Sequence, residues 1–263
     1  MKKYLSVIGL AARPAIIIML AIFIISGAVQ IFMFGRALPS SVNEYANQLM
    51  IQEKIGSSPF SKPHPDSLST IMDNSFTKPI FTASFFIICV FLFSLQSIGP
   101  GKPQYTFFRL GITPFGVFIL WSCFFSLCFM LFIFSETIVC CILGRMYLSA
   151  LSEYGVTLQS LMVMAYRNDL LHSLMPLRES VIYIRNLFMC VGLGISAAYF
   201  TYNLRTLSRV AFLPIFYAVF SVLSFPRNMG AFGWCMFYCL LTAILAAYMI
   251  YSMKGGAENA QAS

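Results

Sequence analysis

Charge is what this 263-residue chain has least of. Only 10% of its residues are Asp, Glu, Lys or Arg, and 59% are apolar, against roughly 25% and 45–50% in soluble domains. That excludes an ordinary water-soluble globule and places the chain among membrane proteins. Histidine is nearly absent: His64 and His172 are the only two, and both read as loop residues. No His-Glu-x-x-His run and no pair of carboxylates within one apolar run is present, so metalloprotease and glycosidase chemistry lack their groups. No Gly-x-x-x-x-Gly-Lys-Ser/Thr loop occurs, so the chain does not itself cradle ATP in the usual way. Gly194-Ile-Ser196 raises an intramembrane serine nucleophile, but no His follows His172 to act as its base. The eight cysteines lie in or beside apolar runs without metal-ligand spacing to His and read as small buried thiols, not disulfides or zinc ligands. No internal repeat is visible.

What is present is a series of long apolar runs, rich in the 27 Phe and 13 Tyr, whose rings suit both lipid and its interface. The fold class expected is all-α: a polytopic membrane protein with six transmembrane helices, an N-terminal interfacial helix and two partly helical extracytoplasmic loops. Residues 1–13, with Lys2, Lys3 and Arg13, read as an amphipathic helix on the membrane surface. Residues 14–254 form a single transmembrane domain with spans at about 14–34, 79–98, 113–143, 187–203, 209–225 and 231–251, each compared with the roughly 20 residues a bilayer core requires. The first run is long for a cleavable signal peptide and is read as a retained span. The third is long for one crossing, yet its halves are too short for two. The outer loops are 35–78 and 144–186, the first with a capping-box pattern at Ser41-Val-Asn-Glu44 that predicts a helix from Val42 to about Lys54. Residues 255–263 read as a disordered tail. Pro214 predicts a kink in the fifth span. Gly192, Gly194, Ser196 and Ala198 predict a small-residue face for close helix packing on the fourth.

With the N-terminus in the cytoplasm, the inner segments carry Lys2, Lys3, Arg13, Lys102, Arg109, Arg205, Arg209 and Lys254 against one acid, Glu258. This is the positive-inside arrangement, with both termini cytoplasmic. Arg36, Arg145 and Arg185, at outer helix ends, run against it. The net charge of +8 therefore points to lipid-facing loops, with the bilayer and not nucleic acid as the partner. Glu136 is the one acid inside an apolar run. It reads either as a cargo contact in an outer vestibule or as a carboxylate tolerated at the outer interface.

The segment between the second and third spans has a character of its own. Gly99, Pro100 and Gly101 stop one helix, and Thr113 with Pro114 caps and starts the next. Between them Lys102, Tyr105, Phe108 and Arg109 make a short cationic, aromatic knob. Its composition suits headgroup anchoring first, and the groove of a partner protein second.

The plan resembles type-2 ATP-binding-cassette (ABC) transporter permeases, including the small six-span subunits of bacterial antibiotic- and lantibiotic-export systems. Tyr105-Thr-Phe-Phe-Arg-Leu110 is similar to a Tyr-Thr-x-x-Arg-Leu pattern in permeases of this kind, and Tyr166-Arg-Asn-Asp-Leu-Leu-His-Ser-Leu-Met-Pro-Leu177 to their outer segment. The resemblance implies a non-enzymatic permease subunit of the bacterial cell membrane exporting a peptide, drug or lipid-like substrate. It implies an ABC ATPase partner that carries the ATP and Mg, with no cofactor on this chain, and a second permease subunit completing a dimer. Residues 99–112 become the coupling loop, Tyr105 and Phe108 entering the ATPase and Lys102 and Arg109 meeting its acidic rim. The family's hairpin before the last span has only Pro226–Gly230 as a counterpart here. The alternative is a stand-alone immunity or sensor protein, or a secondary carrier, binding a peptide through its outer loops.

Overall fold

Long apolar runs bounded by caps become helices, because backbone groups in lipid must bond within their own segment. The computed structural model describes residues 2–55, 66–95, 113–154, 156–175, 179–203, 212–226 and 232–262. Nine α-helices and no strand occur among the described residues: α1 (Lys2–Ile55), α2 (Leu68–Asn74), α3 (Thr77–Ser94), α4 (Pro114–Leu151), α5 (Leu158–Arg167), α6 (Asp169–Leu174), α7 (Ser180–Asn203), α8 (Phe212–Ser224) and α9 (Phe232–Ala262). Five of them, α1, α3, α4, α7 and α9, are long and apolar enough to cross a membrane, and α8 is a shorter apolar helix. The chain is thus an all-α, multi-pass membrane protein.

Thr113 caps α4 as its sequence predicts: its backbone is extended, its Oγ1 accepts from Gly116 N–H at 3.3 Å, and Pro114 takes the first helical position. Elsewhere the structure joins what the sequence divides. The expected surface helix 1–13, span 14–34 and loop helix 42–54 are one continuous helix, α1. Ser41 starts no new helix because the turn at Pro39 is held from both sides. Ser40 Oγ donates to Ala37 O at 2.7 Å, while Phe34 and Leu38 stay buried against the core. α1 and α4 run parallel, with Gly27 beside Val139, Gly35 beside Met146 and the ring of Tyr45 edge-on to Tyr154 at 5.2 Å. Both extend well past a bilayer core, since 38 residues of α4 span about 57 Å. The tail expected to be disordered is helical through Ala262; Ala257, Glu258, Ala260, Gln261 and Ala262 are strong helix formers.

α7 is the centre of the bundle: 61% of its apolar window is buried, against 22% for α1 and α9. It begins at Ser180 instead of 187 and packs antiparallel to α4. Gly192, Gly194, Ser196 and Ala198 do not make one face. Positions two apart on a helix point about 200° from each other, so the small residues serve two seams. A Cβ on Gly194 would run into Ser126 Oγ, with Ser126 N at 2.6 Å and Ser122 O at 2.7 Å, all on α4. A Cβ on Gly192 would meet Thr242 of α9 and Tyr217 of α8, both at 2.5 Å. Ser196 Oγ donates to Met249 Sδ on α9, and Ala198 is buried. Pro214 is also buried, near the start of the described part of α8; the residues before Phe212, against which a kink would be read, lie outside the described residues.

α2, α5 and α6 form a cap over one end of the bundle. Asn168 caps α6 through Oδ1, which accepts from Leu170 and Leu171 N–H at 3.1 Å, and its Nδ2 donates to Ser69 Oγ of α2 at 3.2 Å. Tyr147, near the end of α4, donates to Asp66 O at 2.9 Å, and Lys78 of α3 pairs with Asp169 at 3.5 Å. α3 leaves this cap at Phe76, which adopts a left-handed backbone with φ 56° and stays exposed.

Candidate functional site

Ionisable residues inside a membrane bundle are costly to bury, so each invites a functional reading. Two occur on the helices described, one acid and one base. Glu136 on α4 is 1% exposed. Its Oε1 accepts from Ser26 Oγ at 2.9 Å and its Oε2 from Gln30 Nε2 at 2.8 Å, both donors on α1. Gln30 Nε2 also donates to Ser26 Oγ at 3.2 Å. Glu136 therefore faces neither a vestibule nor open headgroups, as the sequence reading had it. It is sealed against α1, because Ser26 and Gln30 stand one turn apart on the surface that α4 covers.

Arg185, expected at an outer helix end, lies five residues inside α7 and is 6% exposed. Its Nε and one terminal nitrogen donate to Asn186 Oδ1 at 3.3 and 3.0 Å, and its guanidinium lies 5.7 Å from the centre of the Phe225 ring. Asn186 Nδ2 in turn donates to Ser173 O at 2.8 Å, tying the base to α6 of the cap. No acid among the described residues pairs with Arg185. Deeper in the same seam, Tyr217 Oη and Thr242 Oγ1 are 2.9 Å apart and Ser221 Oγ and Tyr238 Oη 2.6 Å apart, a hydroxyl cluster joining α8 to α9.

The two charges sit at nearly one level. Gly194 of α7 faces Ser122 and Ser126 of α4; Arg185 lies about 13 Å from it toward the cap, and Glu136 about 15 Å from Ser126 in the same direction. They point to opposite sides of the α4–α7 layer. A run of aromatic contacts spans the gap: Phe23 with Phe132 at 5.8 Å, Phe132 with Phe81 at 5.6 Å, and Phe81 with Phe225 at 5.3 Å, under the guanidinium. A groove of about 560 Å³ opens between α3 and α8, floored by Thr82, Ala83, Phe86, Val219, Val222 and Leu223, with Lys78 at its rim.

Of the other residues singled out from the sequence, Lys102, Tyr105, Phe108 and Arg109 lie outside the described residues. His172 is no loop histidine. It is buried in α6, 3.7 Å from Glu179 through Nε2 and edge-on to Tyr166 at 4.6 Å. Sequence reading gave no site role to Ser26, Gln30 or Asn186. The signal for the first two was there, since they are polar residues spaced four apart in the first apolar run. No family model, curated protein or solved structure matches the chain.

Proposed function

We propose that this chain is the membrane-spanning permease subunit of an ATP-driven ABC transporter, exporting a peptide, drug or lipid-like substrate across a bacterial cytoplasmic membrane. The reading rests first on the sequence resemblance given above. The structural observation that carries it is the arrangement of the helix ends. α3 starts at the cap and α4 runs toward it, so Ser94 and Pro114, which flank residues 96–112, lie at the end opposite the cap. Asn203 of α7 and Phe212 of α8 end there too. The sequence joining these ends holds Lys102, Arg109, Arg205 and Arg209, the bias expected of a cytoplasmic side. With the cap outside, residues 99–112 meet a cytoplasmic ATPase, Tyr105 and Phe108 entering its groove and Lys102 and Arg109 its acidic rim. Closure of the ATPases on ATP would rock the helices of a permease dimer and open a path beneath the cap. The expected outcome is that an ATPase subunit co-purifies in mild detergent and is released by Tyr105→Ala with Phe108→Ala while the membrane part stays folded. Co-purification unaffected by the double variant would contradict the coupling role.

One observation favours a second reading. A secondary carrier coupled to ions needs an acid buried in the bundle, and Glu136 is such an acid. Transport that persists with ATP exhausted and the proton gradient clamped would favour the carrier.

A further inference from the structure

The Glu136 cluster is left with two defects. Its carboxylate receives hydrogen bonds from neutral donors alone, and Gln30 Oε1, fully buried, has no donor. No described side chain supplies a counter-ion. α1 offers only Ser26 and Gln30, and on α4 itself the neighbouring titratable group is the Cys140 thiol one turn on. Arg185 of α7, at the same level, is turned toward α8 and α9 and bonded to Asn186. Lys78 of α3 is engaged by Asp169, and His172 of α6 by Glu179. A lone buried carboxylate is costly unless something neutralises it.

We propose that Ser26, Gln30 and Glu136 form a binding site for one monovalent cation, a proton or Na+, held between α1 and α4. The chemistry common to both is neutralisation of a single carboxylate. A divalent ion would leave a net positive charge in the same apolar surroundings, which burial disfavours equally. Both carboxylate oxygens and Ser26 Oγ present oxygen ligands of the kind hard cations take. Turning the Gln30 amide over exchanges two atoms of nearly equal size and aims the orphaned Oε1 at Glu136. There it would coordinate Na+ as a further oxygen, or accept the O–H of the protonated acid. Either occupant neutralises the carboxylate, and the turned amide gives Gln30 Oε1 a partner in place of the bonds its Nε2 now makes. The site goes beyond the transporter reading and requires no ATPase partner, so its test uses no transport.

The test is the melting temperature of the purified full chain in nanodiscs, with choline replacing Na+ at constant ionic strength, and separately across pH in choline alone. The wild type is expected to gain stability from one of the two: from added Na+ at fixed pH if Na+ is the ligand, or on acidification without Na+ if the proton is. Glu136→Gln, which imitates the neutralised acid, loses that response, and Gln30→Leu weakens the apparent affinity about tenfold. Acid effects from groups elsewhere in the chain occur in both proteins and cancel in the comparison. Identical responses of wild type and Glu136→Gln, or none in the wild type, would overturn the site. If Glu136→Gln fails to fold, infrared difference spectra of the wild type decide. A carboxyl band that changes on cation loading and is altered by Ser26→Ala supports the site, and an unchanged carboxyl region refutes it.

Discussion

The two sides of the α4–α7 layer solve the burial of a charge differently. On the α1 side an acid is held by two side-chain donors from a single neighbouring helix, and that helix is mostly exposed. On the other side a base is held by its own sequence neighbour, by an aromatic face and, through Asn186, by the cap. The helix packing differs in the same sense. Gly194 and Gly192 meet backbone and ring atoms that have nowhere to go, whereas a Cβ on Gly27 of α1 would meet only a methyl of Val139, at 2.9 Å. The α7 seams are rigid and the α1 seam is compliant.

Substitutions can break this contrast, and the largest effect belongs to Gly194. Gly194→Leu must push α4 and α7 apart, and the expected loss is about 3 kcal/mol or more, read as collapse of monodisperse yield from detergent. A yield near wild type would mean that the seam is not close-packed. Next is Arg185→Ala, which leaves Asn186 Oδ1 without its donors and a gap over Phe225. A loss of about 2 kcal/mol is expected, with the cap elements more open to proteolysis than in the wild type. Tyr217→Phe removes one hydroxyl from the α8–α9 cluster, and a fall of about 1 kcal/mol in thermal stability is expected. Gly27→Ala is the smallest, a loss of about 1 kcal/mol or less, because only one methyl of Val139 must shift and alanine favours the helix. If Gly27→Ala proved as harmful as Gly194→Ala, the contrast between the seams would fail.

The sequence made the architecture legible where local chemistry decides it. Apolar runs marked the membrane helices, Thr113-Pro114 the start of α4, and small residues the helix that others approach closely. It misled where a distant partner decides. Ser41 looks like the start of a new helix until Phe34 and Leu38, one turn apart just before it, are seen buried on the same continuous helix. Arg185 looks like an outer helix end because nothing local announces that Phe225, 40 positions on, will cover it. Glu136 was visible as an anomaly, but the two α1 residues that meet it lie more than 100 positions earlier. Pairings at such separation follow from how helices assemble, which no window of sequence contains.

The orientation of the bundle underlies the functional reading, and one measurement tests it directly. Lys102→Cys and Thr157→Cys are each labelled in intact cells with a membrane-impermeant thiol reagent, against the background of the native cysteines. The expected result is labelling above background at position 157, on the cap, and at position 102 only after the cells are made permeable. Labelling of position 102 in intact cells, with position 157 protected, would put the basic loops on the wrong side of the membrane for any cytoplasmic ATPase.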